Sequence, residues 1–381
     1  MLRATLLSVS LLTVFASAAI APALSEIAVA FPDASETRIK SLLTAPALTM
    51  MVVSPLVGWL SHLLGSRRLL FVGLFFYLLG GVGGGLANSF DQLFGMRLLL
   101  GVGVGILMPM SSALMAQFFE GRERLRMMGL SASVTSLFGV IANVTVGYLA
   151  LISWRYGFAV YSLGLLVLVL TVRYLPPMPG SGTVKGLRFR LPGTALWWAL
   201  AIFLLMLVIY AVMVNISLFI TGEGIGGPSE TGVAISCLTF ASFFTGILNA
   251  RVKALLGRYF VLMNLTLVTL GYSWLTVADS LPQVIAALLL IGLGNGFMIP
   301  YLFYRATTSV PANLVMGAMG LMSLAISLGQ FTTPLILDGI GHLLGDTSTR
   351  FIFQFTAIAV ALAAASQIPW ILWSRGKQSD E

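Results

Sequence analysis

A chain of 381 residues with 58% hydrophobic and only 9% charged residues is excluded from the soluble globular class, where about 25% of residues are charged. Its formal charge of +8 suggests nucleic acid only until the basic residues are placed along the chain. One cysteine, Cys237, excludes an intrachain disulfide and a thiolate metal cluster.

About 20 mostly apolar residues are needed to cross a bilayer as a helix. That length predicts twelve spans, at 5–28, 41–61, 69–88, 94–118, 127–151, 156–175, 195–220, 231–250, 259–278, 283–304, 314–337 and 350–373. Arg3 followed by LLSVSLLTVFASAAIAPAL has the look of a secretory signal with a small-residue ASA. Apolar sequence continues to Ala30, however, which favours a first membrane helix. The segment 176–193, PPMPGSGTVKGLRFRLPG, is rich in Pro, Gly and basic residues and reads as a cytoplasmic linker. It divides the chain into an N-terminal six-helix bundle, 1–175, and a C-terminal one, 194–381. With the N-terminus inside, sixteen basic residues fall on the cytoplasmic face and four on the other: Arg38, Lys40, Arg155 and Arg350. Basic residues in short loops mark the cytoplasmic side, so both termini are expected there and the positive charge needs no nucleic acid.

In chain order, the first motif is GWLSHLLGSRRLL at 58–70. The second begins at Arg97, inside the fourth span, where an arginine costs about 2.5–3.5 kcal/mol on insertion scales; that marks it as a functional candidate, although a long side chain can also reach the interface or Asp91. LLLGVGVGILMP follows at 98–109 and is echoed by LLLIGLGNGFMIP at 288–300. Gly101, Gly103, Gly105 and Pro109 map onto Gly292, Gly294, Gly296 and Pro300 at an offset of 191. The same offset carries Gly129-Leu130 onto Gly320-Leu321 and Ser136-Leu137 onto Ser327-Leu328, and an offset of 188 carries Gly58 onto Gly246. This is an internal repeat of about half the chain. Its glycines suit close helix packing, and Pro109 and Pro300 would bend their helices. The glycine run lacks the lysine of a nucleotide-binding loop and sits in an apolar span.

These residues resemble the major facilitator superfamily, and within it the twelve-span drug:proton antiporter-like exporters. Gly58, Leu60, Gly65, Arg67 and Leu70 fit the signature between spans 2 and 3, with Arg68 beside them, while His62 stands where the family has an acid. Arg97 and Gly101 match the span-4 motif R-x-x-x-G. GVIANVTVGY at 139–148 keeps Gly139 and Gly147 of the exporter motif but has Asn143 and Val144 for its central Gly-Pro, and Trp154-Arg155 and Phe158 resemble the W-R-x-x-F that follows. GILNARVKALLGR at 246–258 is similar to a weaker copy of the first signature.

The resemblance implies an all-α integral membrane protein of major facilitator fold, working as a secondary transporter by alternating access. The leading expectation is proton-coupled, multidrug-type export of small amphipathic molecules. Export of one endogenous metabolite, such as a siderophore or other anionic product, stays open, as does import; a membrane sensor or scaffold is the reading from another class. Enzyme chemistry is not expected. Arg97 and Glu26 are candidates for proton coupling or substrate contact, Glu26 being the acid nearest to mid-membrane. Asn143, Asn215, Asn295, Tyr301 and Gln330 are the cavity candidates. Gly58, His62, Gly65, Arg67 and Arg68 form the cytoplasmic gating loop; His62 is either a solvated loop residue or a group that changes charge near neutral pH. The expected partners are a small-molecule substrate, protons and membrane lipid. No nucleic acid, metal or cofactor is expected, and the predicted state is a monomer in the cell membrane.

Overall fold

Long apolar runs can satisfy their backbone groups in lipid by closing them within a helix, and helix is what they form. In a computed structural model, which describes residues 2–18, 20–119, 121–175, 193–310 and 315–376 with some side chains excepted, no strand occurs among the described residues. The helices are α1 (Leu2–Ala18), α2 (Leu24–Ala30), α3 (Glu36–Leu64), α4 (Ser66–Gly84), α5 (Phe90–Phe118), α6 (Gly121–Ala150), α7 (Trp154–Gly157), α8 (Leu163–Tyr174), α9 (Gly193–Gly222), α10 (Pro228–Leu256), α11 (Phe260–Leu275), α12 (Leu281–Thr308), α13 (Val315–Leu344) and α14 (Thr349–Gly376). Nine helical stretches among the described residues are long and apolar enough to cross a membrane. The first, fifth and eighth expected spans complete the set as α1 with α2, α6 and α10. The expected linker, 176–193, lies outside the described residues save for Gly193.

Two spans are less regular than their hydropathy suggests. The first breaks after Ala18 and resumes through a 3-10 turn, Ala21–Ala23, into α2. Pro22 lies in that turn, where its missing N–H costs no α-helical hydrogen bond. The sixth starts as α7, passes through a 3-10 segment, Phe158–Ser162, and becomes α8.

Helices up to Tyr174 pack on one another chiefly through α3, α4 and α5, and helices from Gly193 on through α10, α11 and α12. The two groups meet along α3 with α13 and along α6 with α10. The internal repeat is visible in individual bonds. Arg155 donates to the carbonyls of Gly85 and Ala87 at 3.0 and 2.6 Å. Arg350 donates to those of Thr276 and Ala278 at 2.7 and 3.2 Å, and these acceptors lie 191 residues further on. Gln92 and Gln283, related by the same offset, each accept a backbone N–H four residues earlier at 2.9 Å. Gly65 and Gly257, at φ +77° and +50°, separate α3 from α4 and α10 from α11. A side chain is strained in that region, which explains a glycine at both corners.

Candidate functional site

The glycine motifs set how closely the inner helices approach. A Cβ on Gly101 would collide with Thr49 and the Pro46 carbonyl of α3, and one on Gly103 would meet the Gly73 carbonyl of α4 at 2.8 Å. In the second copy, a Cβ on Gly292 would lie 2.5 Å from the Leu238 carbonyl of α10, one on Gly296 would run into Thr245 and Ser242, and one on Gly294 would lie 2.8 Å from the Asn264 carbonyl of α11. Gly101 and Gly296 thus face the second span of each group, and Gly103 and Gly294 the third. A Cβ on Gly105 would lie 3.2 Å from both Met50 and Val53 of α3, a tight but less severe approach. Ser54 and Ser242, 188 residues apart, donate to the carbonyls of Gly105 and Gly292, both at 3.1 Å. Pro109 and Pro300 lie inside α5 and α12.

Arg97, one turn before Gly101, has no exposed surface. Its Nε donates to the Leu42 carbonyl at 2.9 Å and Nη1 to the Tyr161 hydroxyl at 2.7 Å. Tyr77 packs edge-on against the Tyr161 ring with centroids 5.6 Å apart. The guanidinium therefore ties α5 to α3 and to the start of the sixth span. Asp91, the other partner the sequence offered, pairs with Arg38 at 2.6 Å.

The exporter-like stretch 139–148 forms the α6–α10 crossing. A Cβ on Gly147 would lie 2.6 Å from the Pro228 carbonyl, and Gly232 rests against the Asn143 carbonyl. Ser236 donates to the Val140 carbonyl at 3.0 Å. A second crossing joins α2 to α9, where the Ser25 N–H donates to Ser217 Oγ at 3.2 Å and Ser217 Oγ approaches the Pro22 carbonyl at 3.3 Å.

A third crossing was not foreseen. Lys40 and Asp338 are 1% and 5% exposed, and Lys40 Nζ lies 2.9 Å from Asp338 Oδ1. Thr37 Oγ1 donates to Asp338 Oδ2 at 2.7 Å. By hydropathy Lys40 falls in a loop, and the eleventh span ends one residue before Asp338. The available signals were Glu36 and Lys40 four residues apart, and an acid closing the apolar run PLILD.

All of these crossings lie toward the end of the bundle remote from the chain termini, here called the distal end. Toward the terminal end the groups part. Along the stripe of α3 that carries Lys40, Thr44 and Ala47 are buried, Met51 is half-buried, and Pro55 and Gly58 are exposed. Along the facing stripe of α13, Asp338, Pro334 and Ser327 are buried while Leu324 and Gly320 are exposed. The α10 stripe likewise passes from buried Gly232 and Ser236 to exposed Phe240 and Phe244. Among the described residues, the bundle is sealed at the distal end and open at the other.

The remaining candidates fall in different places. Glu26 sits half-buried in the first turn of α2, next to the Ser25–Ser217 crossing. Asn143, Asn215 and Asn295 are buried on α6, α9 and α12. Asn215 Nδ2 donates to the Ala211 carbonyl at 2.8 Å, leaving Oδ1 without a partner, and neither amide atom of Asn295 has one. Tyr301 packs on Phe260, with Lys253 Nζ 4.9 Å from its ring centre. Gln330 is half-buried on α13. In the gating loop, Gly58 and Arg68 are exposed, Gly65 makes the turn described above, and Arg67 donates to the Val172 carbonyl at 3.1 Å. The His62 side chain lies outside the described residues.

Two groups of helices closed on each other at one end and parted at the other define a membrane transporter of two-bundle type. The chain matches the Major Facilitator Superfamily over residues 6–334, and it belongs to that family. It is 22% identical over 350 residues to "Multidrug resistance protein 1" of Bacillus subtilis (strain 168), covering 88% of each chain. It is 24% identical over 353 residues to "Putative multidrug resistance protein MdtD" of Klebsiella pneumoniae (strain 342), covering 90% of this chain and 68% of that one. "Multidrug transporter protein MdtP" of Bacillus subtilis (strain 168) is 28% identical over 146 residues, which span 38% of this chain and 27% of that protein. Among solved structures, a D-xylose-proton symporter superposes with a TM-score of 0.76 at 17% identity over 96% of both chains. A bacterial homolog of the human lysosomal transporter Spinster, in an inward-facing and unoccupied conformation, gives 0.78 at 14% identity over 96% of this chain and 95% of that one. Family and fold are those of transporters of small molecules.

Proposed function

We propose that the protein is a proton-coupled exporter of small amphipathic molecules, working by alternating access in the cell membrane with both termini cytoplasmic. The observation that carries this reading is the bundle sealed distally and open terminally, which is one of the two arrangements such a cycle needs. With the termini inside, that arrangement faces the cytoplasm, ready to load a substrate for export. The relatives named for multidrug resistance favour amphipathic cargo.

Charge placement refines the cargo. Among the described residues, Asp338 is the carboxylate with under a tenth of its surface exposed, and it is already paired with Lys40. Arg97 is sealed behind Tyr161 and Leu42. Neither presents charge to the cavity, which favours neutral or weakly charged compounds that hydrogen-bond to carboxamides such as Asn295. The competing reading, export of one anionic metabolite, needs a cation exposed to the cavity, and half-buried Lys253, against the candidate Tyr301, is the described residue placed to supply it.

Everted membrane vesicles carrying an imposed pH gradient test the proposal across cationic, neutral and anionic compounds. Accumulation of neutral amphipathic compounds that collapses when the gradient is dissipated is the expected result. Transport of anions alone would replace the first reading with the second, and no gradient-dependent movement of any class would sink both.

A further inference from the structure

Asp338 is held entirely from across the seam. One carboxylate oxygen meets Lys40 Nζ at 2.9 Å and the other accepts from Thr37 Oγ1 at 2.7 Å, and both donors belong to α3. Lys40 Nζ has a second carboxylate, Glu36 Oε1, at 2.8 Å, one turn back on its own helix and half exposed. The three groups form a chain from distal water inward: exposed Glu36, buried Lys40, buried Asp338.

We propose that Lys40 and Asp338 are the latch that holds the distal end shut during transport, and that a proton on Asp338 releases it. This rests on the reading of the protein as an alternating-access transporter. Removing one partner from a buried ion pair is strongly destabilising, because it strands an uncompensated charge. The placement of Glu36 lifts that penalty for one event. When Asp338 takes a proton from distal water, the Nζ–Oδ1 attraction is lost, but Lys40 keeps Glu36. No cation is stranded, the tie between α3 and α13 goes, and the tie within α3 stays. On reclosure the proton returns to distal water, so the latch reads distal acidity and is separate from the group that carries the transported proton. An energised membrane with its outer face acidic would bias the latch open, the state from which cargo leaves.

Other ionisable groups at this end are accounted for separately. Arg38 pairs with Asp91, and Arg350 with Glu223 and Asp279. Asp346 Oδ1 accepts the Ser348 N–H, Glu230 accepts from the Gly227 N–H and the Ser229 hydroxyl, and Arg155 donates to the Gly85 and Ala87 carbonyls. Asp33 and His342 are exposed, and Glu26 is half-buried on α2.

The test is an inter-helix distance measured on the full chain, with Cys237→Ser as background. Spin labels on Asp33→Cys and Leu343→Cys sit at the distal ends of the two groups, both exposed. With Asp338 native, acidification should raise the long-to-short distance ratio by about tenfold. Asp338→Asn should hold the long distance at every pH, and Asp338→Glu should recover both the short distance and its acid response. Lys40→Met should invert the response: an unpaired carboxylate parts the helices at neutral pH, and its protonation lets them close. A structural role alone would not produce that inversion. If Asp338→Asn keeps the native pH response, or Lys40→Met responds in the native direction, the latch is wrong. Substrate movement in vesicles with distances blind to Asp338 would sink the latch and spare the transporter. Distances that respond as stated with no substrate moved would do the reverse.

Discussion

At the scale of single residues, burial decides what a charge can do. Arg97 looks like a substrate or coupling residue in the sequence, yet its guanidinium is spent on Leu42 and Tyr161. Arg97→Ala would leave a buried hydroxyl and carbonyl without that partner, at a cost of about 1–3 kcal/mol. A fall in the thermal unfolding midpoint of the purified protein, larger than any loss of substrate affinity in the folded fraction, is the expected outcome. Equal stability with abolished transport would return Arg97 to a direct role. Outside the membrane-spanning segments, the hydrogen bond from Arg350 holds the Glu223 carboxyl below its usual range. A depressed value means that its stabilising contribution is present above the unfolded value and lost as pH falls through the folded one. Glu223→Gln should therefore lower the midpoint slightly at neutral pH and not at all once the medium is acid enough to protonate the native carboxyl. Because the pair is more than a third exposed on the Glu223 side, the neutral-pH effect should stay under about 0.5 kcal/mol.

Elements are organised by their glycines. In lipid, helices gain little from burying apolar groups against one another, so close backbone approach supplies much of the packing. Gly103→Ala and its repeat partner Gly294→Ala each push a methyl into a neighbouring backbone. Each should cost about 1–3 kcal/mol, the range for overpacking. Gly95→Ala, on α5 with nothing within 4 Å of the added carbon, should be neutral or slightly stabilising, since alanine is the better helix former. Thermal midpoints of the three variants check this directly; equal losses at all three would mean that general helix perturbation, not the seam, is being read.

For the whole molecule, the prediction concerns which end is open. In a Cys237→Ser background, Trp59→Cys lies on the parted, exposed length of α3 and Ser25→Cys in the distal seal. A water-soluble maleimide should modify the first at least about tenfold faster, as it would if the sealed state dominates the population. Comparable rates would mean that the distal end opens freely.

Much of this was legible without coordinates. Hydropathy places the helices, since a chain this apolar must bury its backbone polar groups within segments about 20 residues long. The offset of 191 joins the two glycine motifs, and the acceptors of Arg155 and Arg350 obey it too. Breaks such as Ala21–Ala23 blur in a hydropathy window because they are as apolar as the helix around them. What only the tertiary structure decided is which polar groups meet across separated stretches of chain. Lys40 and Asp338 stand 298 positions apart, each at the end of an apolar run where a charge usually marks a loop. No local pattern tells a charge that meets water from one that meets its counter-ion, because the two differ in what another helix brings within 3 Å.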